Sequence, residues 1–158
     1  MKGLGLFHSH PFEDEIDKKK TRAKSAEFIK ERGSALFVRH ILPNLFAEKF
    51  RKANKELIQG LVARAGSYSS NAVVSATYAM MKRKDRAHVL ESLTCPALFI
   101  IGDLDNAAPM EQSLAMSYLP EVASIHILRG IGHMGMYECK EKTEEIVAEF
   151  VKFCLKES

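Results

Sequence analysis

Cysteine is scarce in this chain: among 158 residues only Cys95, Cys139 and Cys154 occur. An odd number at distant positions argues against a secreted disulfide framework and for a reducing compartment. Also missing is any apolar run approaching the ~20 residues that a membrane-spanning helix needs. The stretch from Met1 to His8 holds too short an apolar segment for a secretory signal, and acidic residues follow at once. A cytoplasmic location without a membrane partner is therefore expected. Charge of one sign is not in excess either, since 23 Lys and Arg against 20 Asp and Glu give a formal net charge of +3. The basic clusters at 18–24, 49–52 and 82–86 are interleaved with carboxylates, so they read as solvated helix faces, and no nucleic-acid partner is expected.

What is present suits one compact domain. Hydrophobic residues make up 46% and charged residues 27%, enough apolar material for a core without a disulfide or metal staple. The chain reads as strand, long helical insertion, strand, helix, strand, helix. Leu4–Phe7 is a short apolar run ending in His8-Ser9-His10-Pro11, a buried strand entering a loop. From 14 to 93 no strand-like run follows, only helix punctuation. Asp17 is expected to cap a first helix ending at Gly33, and Pro43 interrupts the next apolar stretch. Asn54 is expected to cap 55–65, Ser70 or Asn71 to open 72–81, and Asp85 to open a short helix reaching Leu93.

The pattern then changes. Ala97–Ile101 is five apolar residues without alternation, stopped by Gly102, as expected of a strand buried on both faces. A helix over 110–119 ends at Pro120, and 125–128 forms the third strand, followed by a glycine-rich loop over 129–135. The last helix places Ile146, Val147, Phe150, Val151 and Cys154 on one stripe, expected to face the sheet. Strands alternating with helices imply right-handed crossovers and a parallel α/β sheet, with the post-strand loops opening on one edge. Those loops are 8–12, 102–109 and 130–137, and they hold every chemically suggestive residue.

Gly102-Asp103-Leu104-Asp105-Asn106-Ala107-Ala108-Pro109 is a Gly-x-x-Asp loop after a buried strand, and Gly130-Ile131-Gly132-His133 is a Gly-x-Gly-His turn after the next. With these two motifs the chain resembles the C-terminal portion of the α/β-hydrolase superfamily. The resemblance runs over essentially the whole chain. It implies a partial α/β-hydrolase fold with about three parallel strands, flanking helices and an inserted helical lid over 14–93, all in a single domain, 1–158. It also implies that Asp105 is the triad acid and His133 the triad histidine, 28 positions apart (133 − 105). A histidine acting as general base needs a partner on its other ring nitrogen to fix its tautomer and to stabilise the imidazolium. Asp103 is the runner-up acid. The plainer alternatives are a helix cap for Asp105 and a hydrogen-bonded turn for His133.

The chain departs from the family at the nucleophile. A Gly-x-Ser-x-Gly elbow precedes these elements in the family, and none occurs in the 158 residues; Gly66-Ser67-Tyr68-Ser69 comes nearest, without the second glycine or a preceding strand. Ser9 stands at the right sheet edge but lacks an elbow, so it is expected, with His8 and Met134, to line the substrate pocket. His8 and His10 lack a third metal ligand, so no metal or other cofactor is expected, and neither Cys95 nor Cys139 has a visible activator. Apolar residues of the insertion, such as Phe37, Phe46, Tyr78 and Met80, are expected to pack a lid and line its inner face. The expected activity is serine-hydrolase chemistry on an ester, lactone or similar acyl substrate, with the serine supplied from outside this chain. The alternative is an inactive fragment that binds a small ligand or a protein. An unpaired edge at Leu4–Phe7 leads to the further expectation of a homo-oligomer or a complementing N-terminal polypeptide.

Overall fold

The computed structural model describes residues 1–156. The element order is β1 (Leu4–Phe7), α1 (Ile16–Arg32), α2 (Ser34–Ile41), α3 (Glu48–Ala53), α4 (Lys55–Gly66), α5 (Ser70–Lys82), α6 (Ala87–Glu91), β2 (Ala97–Gly102), α7 (Met110–Ser117), β3 (Ala123–Leu128), α8 (Gly135–Glu138) and α9 (Lys140–Lys156). A 3-10 turn at Leu42–Leu45 separates α2 from α3, where Pro43 ends helical pairing. These elements form two compact units. A sheet unit comprises Met1–Pro11, Leu45–Ala47 and Arg86–Ser158, and a helical unit comprises Phe12–Asn44 and Glu48–Asp85. Of the 14–93 stretch, α6 and the short segment 45–47 therefore fall in the sheet unit.

In the sheet unit the three strands are parallel, in the order β1-β2-β3. The unbroken apolar run of β2 takes the middle place, where all six of its residues are buried. The register sets Phe7 beside Ile100 and Ile100 beside His126, and it sets Leu6 beside Phe99 and Phe99 beside Ile125. Leu98, Ile100 and Leu128 form one core cluster with Ile146 of α9, joined by Phe7, Ile131, Cys139 and Phe150. On the opposite face of β3, Ile125 and Ile127 stay exposed. The α9 stripe is only partly core: Ile146 and Cys154 are buried, whereas Val147 and Val151 are exposed. Three strands offer too narrow a surface to cover the whole apolar flank of a 17-residue helix.

In the helical unit α1 packs on α5 and α2 on α4. Ala26, Ile29 and Val74 form its core, with Phe37, Val73 and Tyr78 against them. Asp14 is buried and receives both Arg22 and Arg83, the latter at 3.2 Å. Burial alone would raise the Asp14 pKa, but the hydrogen bond and charge of Arg22, with Arg83 and Lys18, hold it below the usual carboxylate value. Three helix starts differ from expectation. Glu15, Ser69 and Arg86 occupy the cap positions in place of Asp17, Ser70 or Asn71, and Asp85. Only Ser69 among these caps with its side chain, accepting the Ala72 N–H at 3.2 Å.

Candidate functional site

The C-terminal ends of the three strands deliver three loops to one edge of the sheet unit. Asp105 lies in the loop after β2. Its Oδ1 accepts the N–H groups of Ala107 and Ala108, both at 2.8 Å, which closes the loop before α7. Its Oδ2 accepts from Nδ1 of His133 at 2.9 Å and from Nδ1 of His8 at 3.1 Å, and the same His133 Nδ1 lies 3.1 Å from Oδ1. Burial by itself would raise the carboxyl pKa. The hydrogen bonds from His133, His8 and Ala108, and the charge of His133, outweigh it and hold the group well below the usual carboxylate range. Asp105 is therefore an anion that only accepts, so each facing Nδ1 carries a proton. The Nε2 of His133 is left as the basic nitrogen, and its side chain is 29% exposed. A half-exposed imidazole oriented this way can take a proton from a neighbouring hydroxyl or water.

The loop around His133 is held by its backbone. Glu138, in α8, accepts the Gly132 N–H at 3.0 Å and the Met134 N–H at 3.3 Å on Oε1, and the Ala47 N–H at 3.0 Å on Oε2. The His133 N–H donates to the Leu45 carbonyl at 2.7 Å. Gly132 permits this approach, because a Cβ there would lie 2.7 Å from both Ala47 N and the Leu45 oxygen. Glu138 carries no motif signal in the sequence; a Glu six residues after a Gly-x-Gly-His glycine is visible only once the loop has folded back.

The remaining residues singled out from sequence take other places. Asp103 does not reach His133: its Oδ1 accepts the Gly130 N–H at 2.6 Å and ties the two loops together. His8, expected to line a pocket, has a side chain only 1% exposed and faces Asp105 instead. Ser9 is exposed, and among the described residues no hydrogen bond joins it to His133. Met134 is half-buried beside the histidine loop. Burial pushes the Cys139 thiol up, and the nearby carboxylates of Glu138 and Glu141 push it further, so it is a poor nucleophile. Donor atoms of His8, Asp105 and His133 lie within 4.8 Å of one another, close enough for one cation to span. His10 is not part of that group, and the existing contacts are hydrogen bonds onto an oxygen pair that already has four donors. Among the described residues no helix is long and apolar enough to cross a membrane.

This strand order and loop placement define the C-terminal part of the α/β-hydrolase fold. The thermophilic esterase of Thermogutta terrifontis superposes with a TM-score of 0.89 at 24% identity, over 97% of this chain and 56% of the esterase. The enol-lactonase of Burkholderia xenovorans gives a TM-score of 0.85 at 16% identity, over 95% and 56% of the two chains. In sequence, a 2-hydroxy-6-oxononadienedioate/2-hydroxy-6-oxononatrienedioate hydrolase of Burkholderia vietnamiensis is 27% identical over 113 residues, 69% of this chain and 39% of that protein. The chain thus spans little more than half of these structures and less than half of that curated relative. No protein-family profile matches it.

Proposed function

We propose that this chain carries the acid and histidine of a serine hydrolase acting on an ester, lactone or similar acyl substrate. Asp105 is the acid and His133 the general base. The observation that carries this reading is the Asp105 Oδ2 to His133 Nδ1 contact at 2.9 Å, which leaves Nε2 as the basic nitrogen of a partly exposed side chain. The nucleophile comes from outside these 158 residues, because no Gly-x-Ser-x-Gly elbow occurs in them. His133 Nε2 takes the proton of that serine as it attacks the acyl carbon, then returns it to the leaving group. Asp105 stabilises the imidazolium between the two steps. On this reading the helical insertion over 14–93 serves as the lid. Ser9 and Met134 lie in the loops that border the substrate, and the reaction needs no metal or other cofactor.

A second reading is favoured by the exposed Ile125 and Ile127, together with the unpaired outer edge of β1. Apolar surface and a free strand edge of this kind suit a complementing polypeptide or a second copy. On that reading the chain is a binding module without turnover. Labelling with a fluorophosphonate, which reacts only with an activated serine, separates the two. This polypeptide alone stays unlabelled. Addition of a segment bearing the elbow restores labelling, and His133→Ala abolishes it again. Persistent labelling in His133→Ala, or none in the reconstituted protein, would rule out the hydrolase reading.

A further inference from the structure

His8 directly follows β1 at a φ of 46°, the only positive φ of a non-glycine residue among the described residues. A side chain disfavours that left-handed conformation, so it persists only where the surroundings hold it. The ring it carries is enclosed. Phe7 stacks on it at 5.0 Å between centroids, and His133 meets it edge-on at 5.9 Å. Gly102 and Gly135 leave the room for it: a Cβ on Gly102 would lie 3.0 Å from its Cε1, and a Cβ on Gly135 would collide with its Nε2. Nδ1 donates to Asp105, and Nε2 is buried without a hydrogen-bond partner. A strained backbone and a buried orphan nitrogen are both destabilising. The interaction they make possible is the one with Asp105.

We propose that His8 is a positioning residue for the Asp105–His133 pair. The carboxylate is held at both ends: Ala107 and Ala108 fix Oδ1, and the His8 Nδ1–H occupies one side of Oδ2. Held so, the carboxylate presents both oxygens to the Nδ1 of His133, Oδ2 at 2.9 Å and Oδ1 at 3.1 Å. A neutral imidazole suits this place better than a lysine or arginine would, because it donates one hydrogen bond without bringing a permanent charge that would offset the one stabilising a His133 imidazolium. The catalytic meaning of this arrangement rests on the hydrolase reading. The arrangement itself does not, and it can be measured in the chain alone.

The test is nitrogen-15 NMR of the histidine-labelled chain. In the wild type, His8 should be protonated on Nδ1 and unprotonated on Nε2, and the His133 Nδ1–H should give a slowly exchanging downfield resonance. In His8→Ala that proton should exchange with solvent at least roughly tenfold faster, the factor carried by losing a charge-assisted bond of ~1.5 kcal/mol. His8→Asn, whose amide can still donate to Oδ2, should restore much of the protection. A wild-type His8 protonated on Nε2 would overturn the proposal even if neither variant folded. An unchanged His133 resonance in a folded His8→Ala would overturn it as well. Should the resonances behave as expected while a reconstituted elbow never gains fluorophosphonate labelling, positioning stands and the hydrolase reading falls.

Discussion

Gly135 has no side chain where the His8 ring needs the space: a Cβ at 135 would fall inside contact distance of Nε2. Two residues 127 positions apart (135 − 8) thus constrain each other's size. Gly135→Ala should destabilise the chain by roughly 1–3 kcal/mol, as overpacking of a filled interior does. In Gly135→Ala combined with His8→Ala, the two costs should be clearly less than additive in urea unfolding. Full additivity would mean that the contact does not limit position 135.

Asp105 is the acceptor for four donors, and an amide cannot replace it. In Asp105→Asn one end of the side chain becomes an NH2 group, so either the Ala107 and Ala108 N–H groups or the His8 Nδ1–H lose their acceptor, while His133 Nδ1 is left with one oxygen at most. A loss of roughly 1–3 kcal/mol in thermal or urea unfolding is expected. Stability unchanged within a few tenths would refute this account of the loop.

The same carboxylate sets an acid limit. Its folded pKa is depressed, so the unfolded chain binds the proton more readily. The stabilisation is present above the unfolded value of about 3.9 and is lost as pH falls from there through the folded pKa. Asp14 is shifted in the same direction by Arg22 and Arg83 and should add to the effect. Urea midpoints should therefore be flat from neutral pH to about pH 5 as far as these two groups are concerned, then drop steeply below pH 4. Asp105→Asn should make that drop shallower. An equally steep fall in the variant would place the acid sensitivity elsewhere.

Asp14 is the most exacting charge of the helical unit. Removing a buried carboxylate that two arginines share leaves both guanidinium groups without it. Such a loss costs about 3–5 kcal/mol where the charge left is fully buried, and less here because Arg22 and Arg83 are partly exposed. Asp14→Ala should lower the melting temperature far more than Glu48→Ala, whose partner Lys52 is a solvent-exposed i,i+4 neighbour. Similar losses in the two variants would contradict this ranking.

Legibility in the sequence followed the range of the interaction. The middle strand could be read because Ala97–Ile101 is apolar throughout, and burial on both faces demands that. The parallel sheet followed from the alternation of elements. Asp105 and His133 were legible as loop residues after successive strands, and their side chains meet. Helix starts were less legible, because Glu15 and Arg86 cap without a side-chain hydrogen bond and give no capping signal to read. His8 and Glu138 were not legible in their observed places. The first depends on a positive φ and two distant glycines, the second on a loop folding back over its own backbone. The exposed half of the α9 stripe was hidden for a different reason: periodicity marks an apolar flank but does not say how wide a surface lies opposite it.

Because Glu138 grips peptide N–H groups on either side of His133 and not the imidazole, the turn does not depend on the ring it displays. The ring can be exchanged while its mounting stays in place. A change at 133 therefore removes the ring and its bond to Asp105 while the backbone of the turn stays anchored, whereas a change at 138 would disturb ring and mounting together.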